Sequence, residues 1–176
     1  MVITPEQKRV DLRLRNQSDA EALFPTMSHP DSMQYWSRGP FSNIEELRKD
    51  FAPDDTTGWK IWAIVKVGEN EAIGFVAACS KRKGVSEIGY IVAREVAGYG
   101  YGREAVSLLI ERLFAEGQRR IFADVDPDNA KSIALLKALG FKLEGRLRAE
   151  WETHIGIRDS LVYGLLAEGW QFATPK

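Results

Sequence analysis

Three glycines at alternate positions, Gly98, Gly100 and Gly102, constrain this chain more than any other feature. They lie in the stretch Arg94-Glu95-Val96-Ala97-Gly98-Tyr99-Gly100-Tyr101-Gly102-Arg103-Glu104, between a strand-like run, Val85 to Val92, and a helix-like run, Ala105 to Phe114. Glycine has no Cβ and tolerates positive φ, so such a loop turns sharply and brings main-chain N–H groups close to a ligand. The helix that follows begins with unpaired N–H groups at its positive dipole end, a setting suited to phosphate or pyrophosphate. Arg94 and Arg103 add charge. The same residues also suit an ordinary turn between a strand and a helix.

Spacing excludes two familiar phosphate loops. A dinucleotide fingerprint needs Gly-x-Gly-x-x-Gly, and counting from Gly98 its third glycine falls on Arg103. A Walker A loop ends in Gly-Lys-Ser/Thr, whereas Gly102 precedes Arg103 and Glu104.

A chain of 176 residues with 44% hydrophobic residues suits one domain over 1–176 with a core that needs neither disulfide nor metal. The net charge of −1 argues against nucleic acid as the partner, because phosphate affinity comes from clustered Lys and Arg. The basic run Lys81-Arg82-Lys83-Gly84 reads as a turn between strands. Cys79, in the apolar run from Phe75, reads as core, and a lone cysteine fits a reducing compartment. His29, His154 and Cys79 make no metal-ligand set. No apolar leader stands at Met1 to Arg9 and no stretch has the length of a membrane span, so a soluble cytoplasmic protein is expected.

Val10 to Leu14 alternates like a half-buried strand. Capping boxes at Ser18–Glu21 and Ser42–Glu45 predict helices ending near Phe24, before Pro25, and at Phe51, before Pro53. The stretch between them reads as irregular. Trp59 to Val67 and Glu71 to Ser80 predict strands joined by a turn, and Val85 to Val92 a third. After the glycines, Ala105, Leu109 and Leu113 share a helix face with Val106 and Ile110 beside them, closed by Gly117. Arg120 to Asp124 reads as a strand, Ala130 to Leu139 as a helix capped by Asp128 or Asn129, and Phe141 to Trp170 as two strands. The order β-α-α-β-β-β-loop-α-β-α-β-β predicts an α+β domain: about seven strands, mostly antiparallel, flanked by about four helices.

A second informative stretch is Asp126-Pro127-Asp128-Asn129-Ala130-Lys131-Ser132, continuing to Leu139-Gly140-Phe141. Asn129 has an amide for hydrogen bonding, and Ser132, one turn later, has a hydroxyl proton. A helix cap and a first-turn filler are the structural alternative.

With both stretches in view, the chain resembles the GNAT superfamily of N-acetyltransferases, whose acyl-CoA pyrophosphate loop reads Gln/Arg-x-x-Gly-x-Gly/Ala. Gly100 and Gly102 take the glycine places and Ala97 stands where Gln or Arg is usual. Asn129-x-x-Ser132, the run Gly140 to Gly145 and Arg158-Asp159 make the RimJ/RimL branch the nearest likeness. The resemblance implies acetyl-CoA as co-substrate, held by Tyr90, Ile91, Val92, by the loop from Ala97 through Gly98, Tyr99, Gly100, Tyr101, Gly102 and Arg103 to Glu104, and by Asn129 and Ser132. It implies Ser132 as general acid, because Leu136 occupies the place of the tyrosine acid of many relatives. For the base it offers Glu150 or Glu152, on either side of Trp151, or Glu87, or water alone. A main-chain N–H near Tyr90 to Val92 would stabilise the oxyanion, and the amine would attack the thioester directly. Trp36, Trp62 and Trp151, with Tyr35 and Trp59, are candidates for the acceptor site, which takes a protein N-terminus or a small amine. The resemblance admits a homodimer and needs no membrane. Two rival readings are a CoA-binding module without turnover and a nucleotide-phosphate enzyme using the same loop.

Overall fold

The computed structural model describes residues 8–170. The first seven residues, on which the expectation of no leader partly rests, and residues 171–176 lie outside that range. The chain forms β1 (Val10–Leu14), α1 (Asp19–Met27), a four-residue α2 (Pro30–Met33), α3 (Ile44–Asp50), β2 (Trp59–Lys66), β3 (Ala72–Arg82) and β4 (Val85–Val92). A 3-10 turn (Arg94–Val96) leads to α4 (Tyr101–Ala115), then β5 (Arg120–Val125), α5 (Ala130–Ala138), β6 (Lys142–Thr153) and β7 (Gly156–Leu166).

One seven-stranded sheet runs β1-β2-β3-β4-β5-β7-β6, antiparallel at every step except β4–β5. The single parallel step follows from its connection: α4 carries the chain back across one face before β5 begins. The expected α+β domain is therefore present, with five helices among the described residues in place of about four. The α4 stripe of Ala105, Val106, Leu109, Ile110 and Leu113 packs with Ile88, Ile121, Leu136 and Phe141. On the opposite face α1 to α3 bury Leu23, Met27, Met33 and Leu47 against Phe75 and Ile91. Cys79 is buried, as its apolar neighbours suggested.

Several local expectations are corrected. Helix α1 continues through Pro25 to Met27, because Leu23, Thr26 and Met27 are buried and that packing outweighs the donor lost at proline. Ser18 makes no side-chain cap; the carboxylate of Asp19 instead holds the Arg13 guanidinium and accepts the Asn16 N–H. The second capping box forms one residue late. Asn43 Oδ1 accepts from the Glu46 N–H, and the Glu46 carboxylate accepts from the Ser42 N–H. The irregular stretch contains α2, started by His29 and Pro30. The basic run is half strand, with Lys81 and Arg82 in β3, while Lys83 and Gly84 make the expected turn into β4.

Candidate active site

Strands β4 and β5 pair only at Val85–Arg120, Ser86–Ile121 and Glu87–Phe122. Beyond those rungs β4 continues to Val92 and β5 to Val125 unpaired with each other, which opens a slot in the sheet. Main-chain direction alternates along a strand. The Ala93 N–H donates to Ile73 on the β3 side, and the Gly84 carbonyl accepts from Arg120 on the β5 side. Alternation therefore turns the main-chain groups of Ile88, Tyr90 and Val92 into the slot and those of Ile91 toward β3. This corrects Ile91 as a cofactor contact through its main chain. A Cβ on Gly74 of β3 would stand 2.4 Å from the Ile91 carbonyl oxygen, which confirms where that group points.

The glycine loop lies at the mouth of the slot. Gly98 (φ 88) and Gly100 (φ 85) are left-handed, and Gly100 caps α4. Among the described residues, no N–H from Gly98 through Arg103 donates to a protein acceptor. These residues have intermediate or full exposure. Six free donors at the N-terminus of a fifteen-residue helix are groups of the kind that suit an anion. Gly102 is needed for a further reason: a Cβ there would stand 2.9 Å from Val92 Cγ2, so glycine lets the first turn lie against β4. Ala97 is apart from these donors, since its N–H donates to Arg94.

Glu104 is corrected from ligand contact to support. It is 4% exposed and accepts the N–H groups of Arg9 (2.6 Å) and Val10 (3.1 Å) and the Arg9 Nε (2.9 Å). Arg9 also donates to the Tyr99 carbonyl and lies over the Tyr101 ring, so the residue before β1 fastens the loop to the first turn of α4. Arg103 remains exposed in the first turn of α4.

At the inner end of the slot a cleft of about 250 Å³ opens between both sheet faces. From the α5 side Tyr90 and Ser132 enter it, their oxygens 2.6 Å apart. Burial pushes the Tyr90 phenol up to about 12, with the Ser132 contact opposing, so it stays protonated throughout the neutral range. Asn129 caps α5 by accepting the Ser132 N–H at 3.2 Å, which fixes the serine at the cleft edge. The cap is therefore present, and it uses the main chain of Ser132, leaving the serine side chain to face the cleft.

The other side of the cleft is aromatic and acidic. Trp36 and Trp151 line it, joined by Tyr35 and Trp59. Trp62 is corrected: it is 2% exposed and belongs to the core, because β2 lies inside the sheet and its consecutive residues Trp62 to Val65 are buried, which covers both faces there. Glu87 lines the cleft with Lys81 Nζ at 2.9 Å, a contact that raises the lysine pKa. Glu150 is corrected as a cleft residue. It is exposed on β6 outside the lining, while its neighbour Trp151 turns in, as strand alternation requires. A bulge precedes it: Leu147 pairs with Ser160 and Trp151 with Arg158, so β6 carries two extra residues, with Ala149 at φ 51. The Ala149 N–H donates to Asp159 at 2.9 Å.

Sequence reasoning missed Asp124 and Asp126. Asp124 accepts from Trp151 Nε1 at 3.0 Å and from the Ser160 hydroxyl. Asp126 takes two hydrogen bonds from Arg158, at 2.7 and 2.9 Å. Strand period alone offered a signal for Asp124, because Ala123 and Val125 are apolar and so send it to the opposite face.

The Arg158 guanidinium holds the Asp126 carboxyl below the usual range. The Ala149 N–H, with Arg146, does the same for Asp159. Stability from these depressed carboxyls is fully present above their unfolded pKa of about 3.9 and is lost as pH falls through the folded values. Arg158→Gln releases Asp126 toward its ordinary value. The acid-unfolding midpoint, followed by tryptophan fluorescence, is expected to move to higher pH, and an unmoved midpoint refutes this account.

Among the described residues no group of three His, Cys, Asp or Glu side chains is arranged to hold a metal ion, and no helix is long and apolar enough to cross a membrane.

The family model for the acetyltransferase (GNAT) domain matches residues 9–142. The uncharacterized N-acetyltransferase p20 of Bacillus licheniformis is 30% identical over 168 residues, covering 90% of this chain and 93% of the relative. An acetyltransferase of the GNAT family from Bacillus anthracis superposes with a TM-score of 0.82 at 24% identity, over 92% of this chain and 96% of the other. The ribosomal-protein-S5-alanine acetyltransferase of Vibrio fischeri superposes at 0.74 and 23% identity, over 93% and 96% of the two chains. At these identities the two structures speak for the fold.

Proposed function

The chain belongs to the acetyltransferase (GNAT) family and is an N-acetyltransferase, and from that premise we propose that it moves an acetyl group from acetyl-CoA to a primary amine by direct attack in a ternary complex. One observation carries the reading: the free N–H groups around the start of α4 stand at the outer end of the β4–β5 slot, and the Tyr90–Ser132 pair stands at its inner end.

The residues present fit this co-substrate. The N–H groups of Gly98 to Arg103 would hold the diphosphate, with Arg103 adding charge. The main-chain groups of Tyr90 and Val92 would take the amide arm as an added strand. When bound, acetyl-CoA supplies an acyl group activated as a thioester. The chain contributes the rest. A slot N–H of Tyr90 or Val92 serves as oxyanion donor, a contact of about 3 kcal/mol. Ser132 Oγ, backed by the protonated Tyr90 phenol, gives a proton at the leaving sulfur. The acceptor enters from the side of Trp36, Trp151 and Glu87, and its ammonium proton leaves by that acidic side through water. Fixing both substrates in one slot supplies much of the remaining acceleration.

The test mixes the protein with acetyl-CoA and a pool of peptide and small amines and follows free thiol, alongside calorimetric titration with CoA. Binding together with amine-dependent thiol release is expected. Binding without release from any amine makes the chain a CoA-binding module, and stabilisation by ATP in place of CoA makes it a nucleotide enzyme.

A further inference from the structure

Four carboxylates line the cleft, and three of them already face a cation. Glu87 pairs with Lys81 at 2.9 Å, Asp126 with Arg158 at 2.7 Å and Asp159 with Arg146 at 2.7 Å. Asp124 differs. Its only hydrogen-bond donors among the described residues are neutral, Trp151 Nε1 and the Ser160 hydroxyl, and it has no ion pair. A carboxylate has about four acceptor sites, so roughly two remain. Ser160 is fully buried, and Trp151, 42% exposed, stands on β6 paired with Arg158.

Position adds to charge. Ala123 and Val125 of β5 face the α4 core, so Asp124 projects from the other face, which it shares with Glu87. Tyr90, with Ile88 and Val92, packs on the α4 side. The slot therefore has a hydroxyl pair on one flank and an uncompensated carboxylate on the other, an arrangement that separates proton donor from incoming amine. We infer that Asp124 anchors the acceptor's ammonium group, and that the acceptor is a primary amine with one positive charge on an aromatic or apolar body. The single charge follows from the single unmatched carboxylate. The body follows from the indole and phenol rings of the cleft, which offer apolar area and cation-attracting faces. This inference rests on the proposed acetyl transfer.

The test uses three probes, 2-phenylethylamine, 2-phenylethanol and putrescine, titrated at pH 7 with and without saturating CoA. Tryptophan fluorescence is the readout, since three indoles line the cleft. Wild type is expected to bind 2-phenylethylamine roughly tenfold or more tightly than either other probe. Asp124→Asn is expected to lower that affinity roughly 10- to 100-fold, the range of a charged hydrogen bond, while 2-phenylethanol affinity and CoA affinity hold within about threefold. A purely structural role for Asp124 would weaken amine and alcohol alike, and that result overturns the inference. So do tighter binding of putrescine, an unchanged amine affinity in Asp124→Asn, and no amine binding by wild type. Failure to bind CoA overturns the proposed reaction instead, and the titrations without CoA still decide the anchor.

Discussion

A Gly102→Glu protein is expected to fold and to lose acetyl-CoA affinity by at least about 100-fold, while Gly102→Ala loses far less. Two effects must be separated, because a Cβ at this position meets Val92 Cγ2 at 2.9 Å. That contact is an overpacking strain of about 1–3 kcal/mol on folding, common to both variants. For a chain of this size it appears as a melting shift of roughly 2–4 °C per kcal/mol. The charge acts differently on the two equilibria. A carboxylate in the first turn of α4 favours the helix dipole and opposes the steric strain. The same carboxylate about 4 Å from a diphosphate is repelled by roughly 4 kcal/mol per charge pair at an effective dielectric of 20. Calorimetric titration of CoA into both variants, with melting curves beside it, reads the difference. Equal CoA affinities in folded Ala and Glu variants would place the diphosphate elsewhere.

Ser132→Ala is expected to lower kcat by about 10²–10⁴, the range for a positioned proton donor, with acetyl-CoA affinity nearly unchanged. The helix should tolerate the change, because Asn129 caps α5 through the main-chain N–H of residue 132, which alanine retains. Tyr90→Phe is expected to lose less, since Tyr90 meets the serine oxygen directly and acts through it. If the two hydroxyls form one relay, the double variant is no slower than Ser132→Ala alone. With the Tyr90 phenol pushed up to about 12, wild-type kcat should show no falling limb from that group below about pH 11. Additive losses would mean that the two hydroxyls act independently, and a larger loss in Tyr90→Phe than in Ser132→Ala would make the phenol the donor and the serine its prop.

The corrected residues share a cause. Trp62 and Glu104 look like surface chemistry in one dimension, an aromatic in a strand and an acid beside a glycine loop. Trp62 is buried because β2 is covered on both faces from Trp62 to Val65, and Glu104 because Arg9, 95 residues earlier, lies against it. Glu150 lost its place to Trp151 through alternation along β6, where Trp151 pairs with Arg158.

What the chain alone determined is local and periodic. Glycines at alternate positions require a bare turn, the Ala105 to Leu113 stripe requires a helix with one buried face, and Asn129 with Ser132 requires a capped first turn. These come from φ/ψ limits, helix period and short-range hydrogen bonds, all readable within a few residues. Tertiary structure alone decided which carboxylate in the cleft stands without a cation. The neutral partners of Asp124 lie 27 and 36 residues away, and the guanidinium that neutralises Asp126 lies 32 away. Charge compensation is a property of neighbours in space, and only the β5–β7–β6 pairing makes these groups neighbours.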